Sequence, residues 1–223
     1  MNKINTSCLI MAAGKSSRML NSSIGQWKMN LPLDLQHPDK TVLDFSLENA
    51  LQACQKVILV AGFQAEQLLE KYADDGRIEL VVNAEFAKGM AGSIQCGLNV
   101  IEHDHCFISH GDMPFITPEI YHHLWRFWRQ QLTAEVIFPQ YRNRLGHPVL
   151  ISRKLFSAIA EINTTTESPV EKIRPILQPF PTAHLALEQA MSPSQAKGIL
   201  LDIDTPDAYQ AALQWYQQIQ SIS

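Results

Sequence analysis

Cysteine is scarce in this 223-residue chain, and its four copies, Cys8, Cys54, Cys96 and Cys106, are too few and too widely spaced for a disulfide scaffold or a paired zinc site. Each lies in an apolar segment, so buried reduced thiols are expected. Long hydrophobic runs are missing as well: none approaches the roughly 18 residues of a membrane span. The start "MNKINTSCLIMAAG" lacks the apolar stretch and cleavage site of a signal peptide, which points to a cytoplasmic protein with no membrane partner. Long basic runs are also absent, and a formal charge of −4 argues against general nucleic-acid binding, which needs a positive surface to displace counterions. Any phosphate site must therefore be basic locally. The remaining composition, 46% hydrophobic and 18% charged, suits one globular domain over residues 1–223.

Glycine is sparse where a phosphate loop should be richest. In "LIMAAGKSSRM", residues 9–19, an apolar strand runs into Gly14 and then into small and basic residues. Small residues let backbone approach a ligand, and Lys15 and Arg18 add positive charge, so the stretch has the character of a phosphate cradle. It fits neither common template. Cys8, Leu9 and Ile10 precede it where a Walker loop needs its first glycine, and the dinucleotide pattern needs three spaced glycines.

Strand-like runs "CLIMAA", "KVILVAG", "IELVVNA" and "CFISHGD" alternate with helical patterns in "TVLDFSLENALQACQ", "AEQLLEKYA" and "MAGSIQCGLNVI". That rhythm predicts an α/β fold, an open, mostly parallel sheet with helices on both faces. The second half continues with a helix near 118–131, strands "AEVIFPQ", "HPVLISR" and "HLALE", a short helix in "PVEKIRPIL", a strand "GILLDID" and a terminal helix. Loop signals are strongest in "LNSSIGQWKMN" and "EINTTTESP". In such sheets ligands bind beyond the carboxyl ends of the strands.

Two segments repeat one device. "CFISHGDMPFITPE" and "ILLDIDTPD" each carry a strand to an Asp and then open a helix with Thr as N-cap and Pro at its first position. Asp112 and Asp204 are thus both expected at the rim, where carboxylates facing a basic loop suit a hard divalent cation bridging protein and triphosphate. Alone, each Asp reads more readily as a turn or cap residue; their joint placement on strand ends favours the metal reading.

Taken together, "LIMAAGKSSRM", Lys28, "GMAGSIQCGL", "GDMP", "GHPVLI" and "LDIDTPDAY" resemble the nucleotidyltransferases that attach a nucleotide to molybdopterin, in matching order from Leu9 to Tyr209. Ala12 and Ala13 before Gly14, with Gly146, His147, Pro148 and Val149, resemble the cytidylyl-transferring branch; the guanylyl-transferring branch usually has a second glycine in the first loop. The resemblance implies a Rossmann-like fold of the nucleotide-diphospho-sugar transferase type. It also implies a Mg²⁺-dependent joining of CTP to molybdopterin with release of pyrophosphate, and a recipient molybdoenzyme as a further partner.

Residue by residue, it implies that the backbone from Leu9 through Ala12, Ala13 and Gly14 meets the nucleotide, while Lys15, Arg18 and Lys28 face its phosphates. Asn83 and Ser93 fall where the family contacts base or ribose, and Ser93 also fits a plain helix-start role. Asp112 and Asp204 would hold the metal, with Asp202, on the same face of the expected strand, as a substitute. Arg18, Lys28 and Asp112 would carry catalysis, and Gly146, His147 and Pro148 would meet the acceptor. The chain departs from the family in the longer segment "LNSSIGQW" before Lys28, and in "TTTESPVEKIRPIL", which keeps Arg174 without the family's glycines. His103, His105, His110, His122 and His123 read as surface or helix residues, and Trp125 and Trp128, at i, i+3, as a core face. Alternatives from other classes remain: a sugar-phosphate or alditol-phosphate acceptor, a GTP-using guanylyltransferase, or a cofactor-carrying chaperone without turnover.

Overall fold

The uncharged run Ile4–Ala12 forms the central strand β1, and it is apolar on both faces because both faces are covered. Cys8, Ile10 and Ala12 point into one layer of the core, Leu9 and Met11 into the other. The structure is a computed structural model and describes residues 2–165, 170 and 172–220.

After β1 come α1 (Ser17–Leu20), α2 (Val42–Ala53), β2 (Cys54–Ala61), α3 (Ala65–Tyr72), β3 (Ile78–Val82), α4 (Met90–Leu98), β4 (His105–His110) and α5 (Pro118–Trp128). The second half holds β5 (Val136–Tyr141), β6 (Arg144–Leu145), β7 (Val149–Ser152), α6 (Phe156–Ala160), α7 (Arg174–Leu177), β8 (Thr182–Ala186), α8 (Pro193–Lys197) and α9 (Pro206–Gln220). The sheet runs β3-β2-β1-β4-β7-β5-β6, with β8 beside β5. Strands β3, β2, β1 and β4 are parallel; β7 is antiparallel to both β4 and β5, and β8 is parallel to β5. This is the expected Rossmann-like α/β sheet with helices on both faces.

One core layer packs α2, α3 and α5 on the sheet through Leu43, Leu47, Leu68, Tyr121 and Leu124; the other packs α4, α6 and α7 through Ile94, Leu98, Ile159 and Leu177. Trp125 and Trp128 pack partly buried against the first layer, as their spacing predicts. A third cluster, Met19, Leu31, Leu33, Phe115, Ile203, Tyr209 and Leu213, holds α1 and α9 together at the rim of the sheet. Cys8, Cys54 and Cys106 are buried free thiols, whereas Cys96 is only partly buried. No helix among the described residues is long and apolar enough to cross a membrane.

Several sequence expectations are corrected. "GILLDID" is not a strand: Gly198–Leu200 is a 3₁₀ turn, and residues 201–204 form no regular element and do not join the sheet. The stretch instead crosses the rim, where the Ile203 amide donates to the Asp112 carbonyl at 3.0 Å. In "PVEKIRPIL" the helix covers only Arg174–Leu177; Pro169 and Glu171, with residues 166–168 of the loop before them, lie outside the described residues. The short β6 was missed because its hairpin turn, Arg142 and Asn143 at φ 48° and 62°, carries no glycine to announce the two positive angles.

The crossing segment rests on Gly198, where an added Cβ would lie 2.3 Å from the Phe115 carbonyl oxygen. Backbone would have to move. Gly198→Ala should destabilise the fold by about 1–3 kcal/mol, read as a lower urea midpoint at unchanged m-value.

Candidate functional site

At the topological switch point, where the chain leaves β3 and returns on the other side of β1, a cleft of about 530 Å³ opens beyond the ends of β1 and β4. One wall is the loop from Ala13 to Arg18. Ser16 there adopts a left-handed backbone (φ 55°, ψ 43°), which costs a non-glycine residue about 1–2 kcal/mol, and its Oγ is buried without a hydrogen-bond partner. Lys15 and Arg18 are exposed along this wall. The opposite wall comes from Phe86, Met90 and Ser93. Both walls close on Gly62: a Cβ there would meet Phe86 Cβ at 2.7 Å and Ala13 Cβ at 2.8 Å.

The floor is ionic. Lys28 Nζ donates to Asp112 Oδ2 and to Asp204 Oδ1, joining side chains from three separate parts of the chain. Lys28 and Asp112 are nearly buried, with side-chain exposures of 12% and 9%, and Asp204 is 38% exposed. Arg18 Nη1 reaches Asp204 Oδ2 at 3.4 Å. Burial alone would lower the Lys28 pKa, but the attraction and hydrogen bonds of Asp112 and then Asp204 outweigh it and hold the pKa above its ordinary value. Burial likewise pushes Asp204 up, and Lys28, with Arg18, more than offsets it, leaving the carboxyl below the usual range.

Asp112 is placed by its neighbours. Ser46 and Asn49 of α2 donate to the carbonyls of Gly111 and Pro114 at 2.9 Å each, and the Gly111 amide donates to the Met11 carbonyl at 3.0 Å. Asp204 precedes α9, whose first turn is capped by Thr205 Oγ1 accepting from the Ala208 amide at 3.2 Å. Thr117 occupies the equivalent place before α5 without a side-chain capping bond, its Oγ1 buried and unpartnered.

Of the residues singled out in the sequence, Ala13, Gly14, Lys15, Arg18, Lys28, Ser93, Asp112 and Asp204 meet in this one cleft. Asn83 stands behind Ser93 and donates to its Oγ at 2.9 Å. Leu9 and Ala12 do not line the cleft: both are fully buried, and the backbone of Leu9 to Met11 is engaged in the ladders to β2 and β4. The Ala13 carbonyl is taken by the Phe63 amide at 3.0 Å. Asp202 lines a different hollow, with Lys197 and Trp215, because the segment carrying it is not the strand that would have put it on the face of Asp204. Gly146 packs on Ile199, and His147 and Pro148, joined to each other by a cis peptide bond, follow it without lining the cleft.

Of the histidines read as surface or helix residues, His103 and His105 are partly exposed and only His110 belongs to the cleft. His105 stacks on Trp128 with ring centroids 3.9 Å apart, His103 Nδ1 meets Ser7 Oγ at 2.8 Å, and His110 lines the cleft. The imidazole of His110 meets that of His147 edge to face at 4.3 Å. His110 sits two residues before Asp112 at the end of β4, and that position was the signal available in the sequence. Phe86 and Met90 gave no signal, since nothing local distinguishes a cleft wall from a core face.

A model of the MobA-like NTP transferase domain matches residues 8–207. The chain belongs to that family. Among curated proteins it is 36% identical to the molybdenum cofactor cytidylyltransferase of Escherichia coli (strain K12) over 213 residues, 95% of this chain and 97% of that one. Among solved structures, Rv0371c from Mycobacterium tuberculosis H37Rv superposes with a TM-score of 0.73 at 22% identity, covering 96% of this chain and 100% of that one. Molybdopterin-guanine dinucleotide biosynthesis protein A from Archaeoglobus fulgidus superposes with a TM-score of 0.69 at 17% identity, covering 96% and 100%. As a MobA-like NTP transferase the protein moves a nucleotidyl group from a nucleoside triphosphate to a phosphorylated acceptor.

Two carboxylates converge on one point, which the Lys28 ammonium fills. These hard oxygen donors fit a magnesium ion, which takes one or two carboxylates and completes its shell with phosphate oxygens and water. No group of three His, Cys, Asp or Glu side chains suited to a metal occurs among the described residues, so the substrate's oxygens would have to supply the rest.

His147 makes acid stability testable. Its Nδ1 is buried without a partner, and its charged or titratable neighbours are His110, Asp112 and Arg174. Burial first, and His110 second, depress its pKa to about 3. The unfolded chain therefore takes up a proton below about pH 6.5 that the folded site refuses, and stability is lost as pH falls toward 3. His147→Asn should show a flatter fall of melting temperature between about pH 7 and pH 4 than the wild type; parallel curves would refute a buried neutral imidazole.

Proposed function

We propose that the protein is a magnesium-dependent cytidylyltransferase that joins CTP to molybdopterin and releases pyrophosphate. The observation that carries this reading is the convergence of Asp112, Asp204 and Lys28 beneath a loop bearing Lys15 and Arg18. In the reaction an oxygen of the acceptor phosphate forms a bond to the α-phosphorus of CTP, and the bond from that phosphorus to the bridging oxygen of the β-phosphate breaks. Both electrons of that bond leave with pyrophosphate. Positioning and charge neutralisation suffice, and no protein nucleophile is needed.

Lys15 and Arg18 offset the charge of the triphosphate, and Lys28 follows the charge that builds on the leaving group. Asp112 and Asp204 would hold the magnesium, which when bound supplies Lewis-acid stabilisation of the phosphoryl oxygens. Ser93, steadied by Asn83, and the exposed Gly14 would face base and ribose. His110, backed by His147 of the Gly146, His147, Pro148 stretch, would border the acceptor, and a recipient molybdoenzyme would take the product.

The choice of CTP draws on the name of the Escherichia coli relative and on Ala13, whose methyl stands at the cleft wall where a glycine would leave more space. A purine fits less well against that methyl.

Pure protein incubated with magnesium, molybdopterin and each nucleoside triphosphate should form pyrophosphate and a cytosine dinucleotide, with CTP preferred over GTP by about 10- to 200-fold in kcat/KM. Preference for GTP would overturn the cytidylyl assignment, and turnover only with a sugar phosphate would overturn the acceptor. Ala13→Gly should narrow the CTP preference. Asp112→Asn should keep the fold while lowering kcat about 100-fold or more, since the amide preserves size and loses the charge; wild-type turnover at saturating magnesium would remove Asp112 from the site.

A further inference from the structure

The segment "LNSSIGQW" before Lys28 ends in a tryptophan that is only 3% exposed. Its indole Nε1 donates to the Gly14 carbonyl at 3.0 Å. One side chain therefore joins the middle of the loop that forms one wall of the cleft to the 3₁₀ turn Lys28–Asn30 that carries the floor ammonium. The neighbouring carbonyl, Ala13, is gripped by the Phe63 amide, and the Phe63 ring meets Trp27 edge-on at 5.9 Å. Phe63 in turn meets Phe86 of the opposite wall edge-on at 6.4 Å. Two successive carbonyls of the loop are thus held from behind, one by the Trp27 indole and one by the backbone amide of Phe63, whose ring packs against that indole.

The loop needs such a hold. Ser16, two residues beyond Gly14, is left-handed, and around Gly14 itself the space where a side chain would sit is open to 4 Å. A loop that shifted here would carry its amides and Lys15 away from the phosphates that Lys28 faces.

We propose that Trp27 is a positioning residue for nucleotide binding: its indole N–H sets the spacing between the Gly14 loop and Lys28, so the cleft meets a triphosphate already in register. The proposal rests on the reading of the cleft as a nucleoside triphosphate site. A braced loop loses less freedom on binding, so the brace acts on nucleotide affinity in ground and transition states alike.

Trp27→Phe keeps a buried ring and removes the donor. A second variant carrying benzothienylalanine at position 27 keeps the indole shape and replaces N–H by sulfur. Both should raise KM for the triphosphate, and its calorimetric Kd measured without acceptor, by about five- to tenfold, with kcat and melting temperature close to wild type. A purely structural Trp27 would instead lower the melting temperature and leave KM unchanged per folded molecule. That result, or wild-type Kd in the isostere variant, overturns the proposal; should the Phe variant fail to fold, the isostere decides. A wild type that binds no nucleoside triphosphate would bring down the functional reading instead, before either variant is compared.

Discussion

A single ammonium between two carboxylates is the interaction on which the site depends. Lys28 reaches Asp112, 84 residues away, and Asp204, 176 residues away. Charges this poorly hydrated are tolerated only when paired, and removal of one partner leaves an uncompensated charge in a medium that solvates it badly. The trio carries one excess negative charge that Arg18, at 3.4 Å from Asp204, offsets from the solvent side.

The fold brings these ends together by different means. Asp112 hangs on a parallel strand whose following loop is bonded to α2, so the sheet sets its position. Asp204 lies outside the sheet, on an irregular segment bonded to the Asp112 loop through Ile203 and held by the rim cluster of α1 and α9. Lys28 stands between Trp27 and Met29, both buried in the main core, which aims the intervening side chain into the cleft. The long segment before Lys28 thereby ends in an anchor, and its extra length does not swing the ammonium away.

Much of this was legible beforehand. Continuous apolar runs in "CLIMAA" and "KVILVAG" announced buried parallel strands, and the helical patterns between them announced their crossovers, because burial on two faces leaves no polar alternation to misread. "GILLDID" has the same composition and is not a strand. Its apolar residues are buried partly by the main core, through Ile199, and partly by the rim cluster, through Ile203, a demand that hydrophobicity alone cannot distinguish from pairing in a sheet. The error carried Asp202 with it, since a period of two was applied where no pleat exists. His110 was misjudged for a related reason: one imidazole at a strand end looks alike whether it faces solvent or closes a cleft, and only His147, 37 residues on, settles the matter.

By itself the sequence determined the α/β class, the strand ends at which a ligand site had to lie, and the chemical character of that site, basic in its first loop and acidic at two later turns. Those properties follow from local pattern and residue type, which act over a few residues. Tertiary structure alone decided that Lys28 joins the two carboxylates, that the Trp27 indole reaches the Gly14 carbonyl, that His110 meets His147, and that Asp202 lines a separate hollow. Each of these depends on contacts between segments tens to hundreds of residues apart, whose meeting is fixed by how the sheet and the rim cluster pack and is written in no single stretch of the chain.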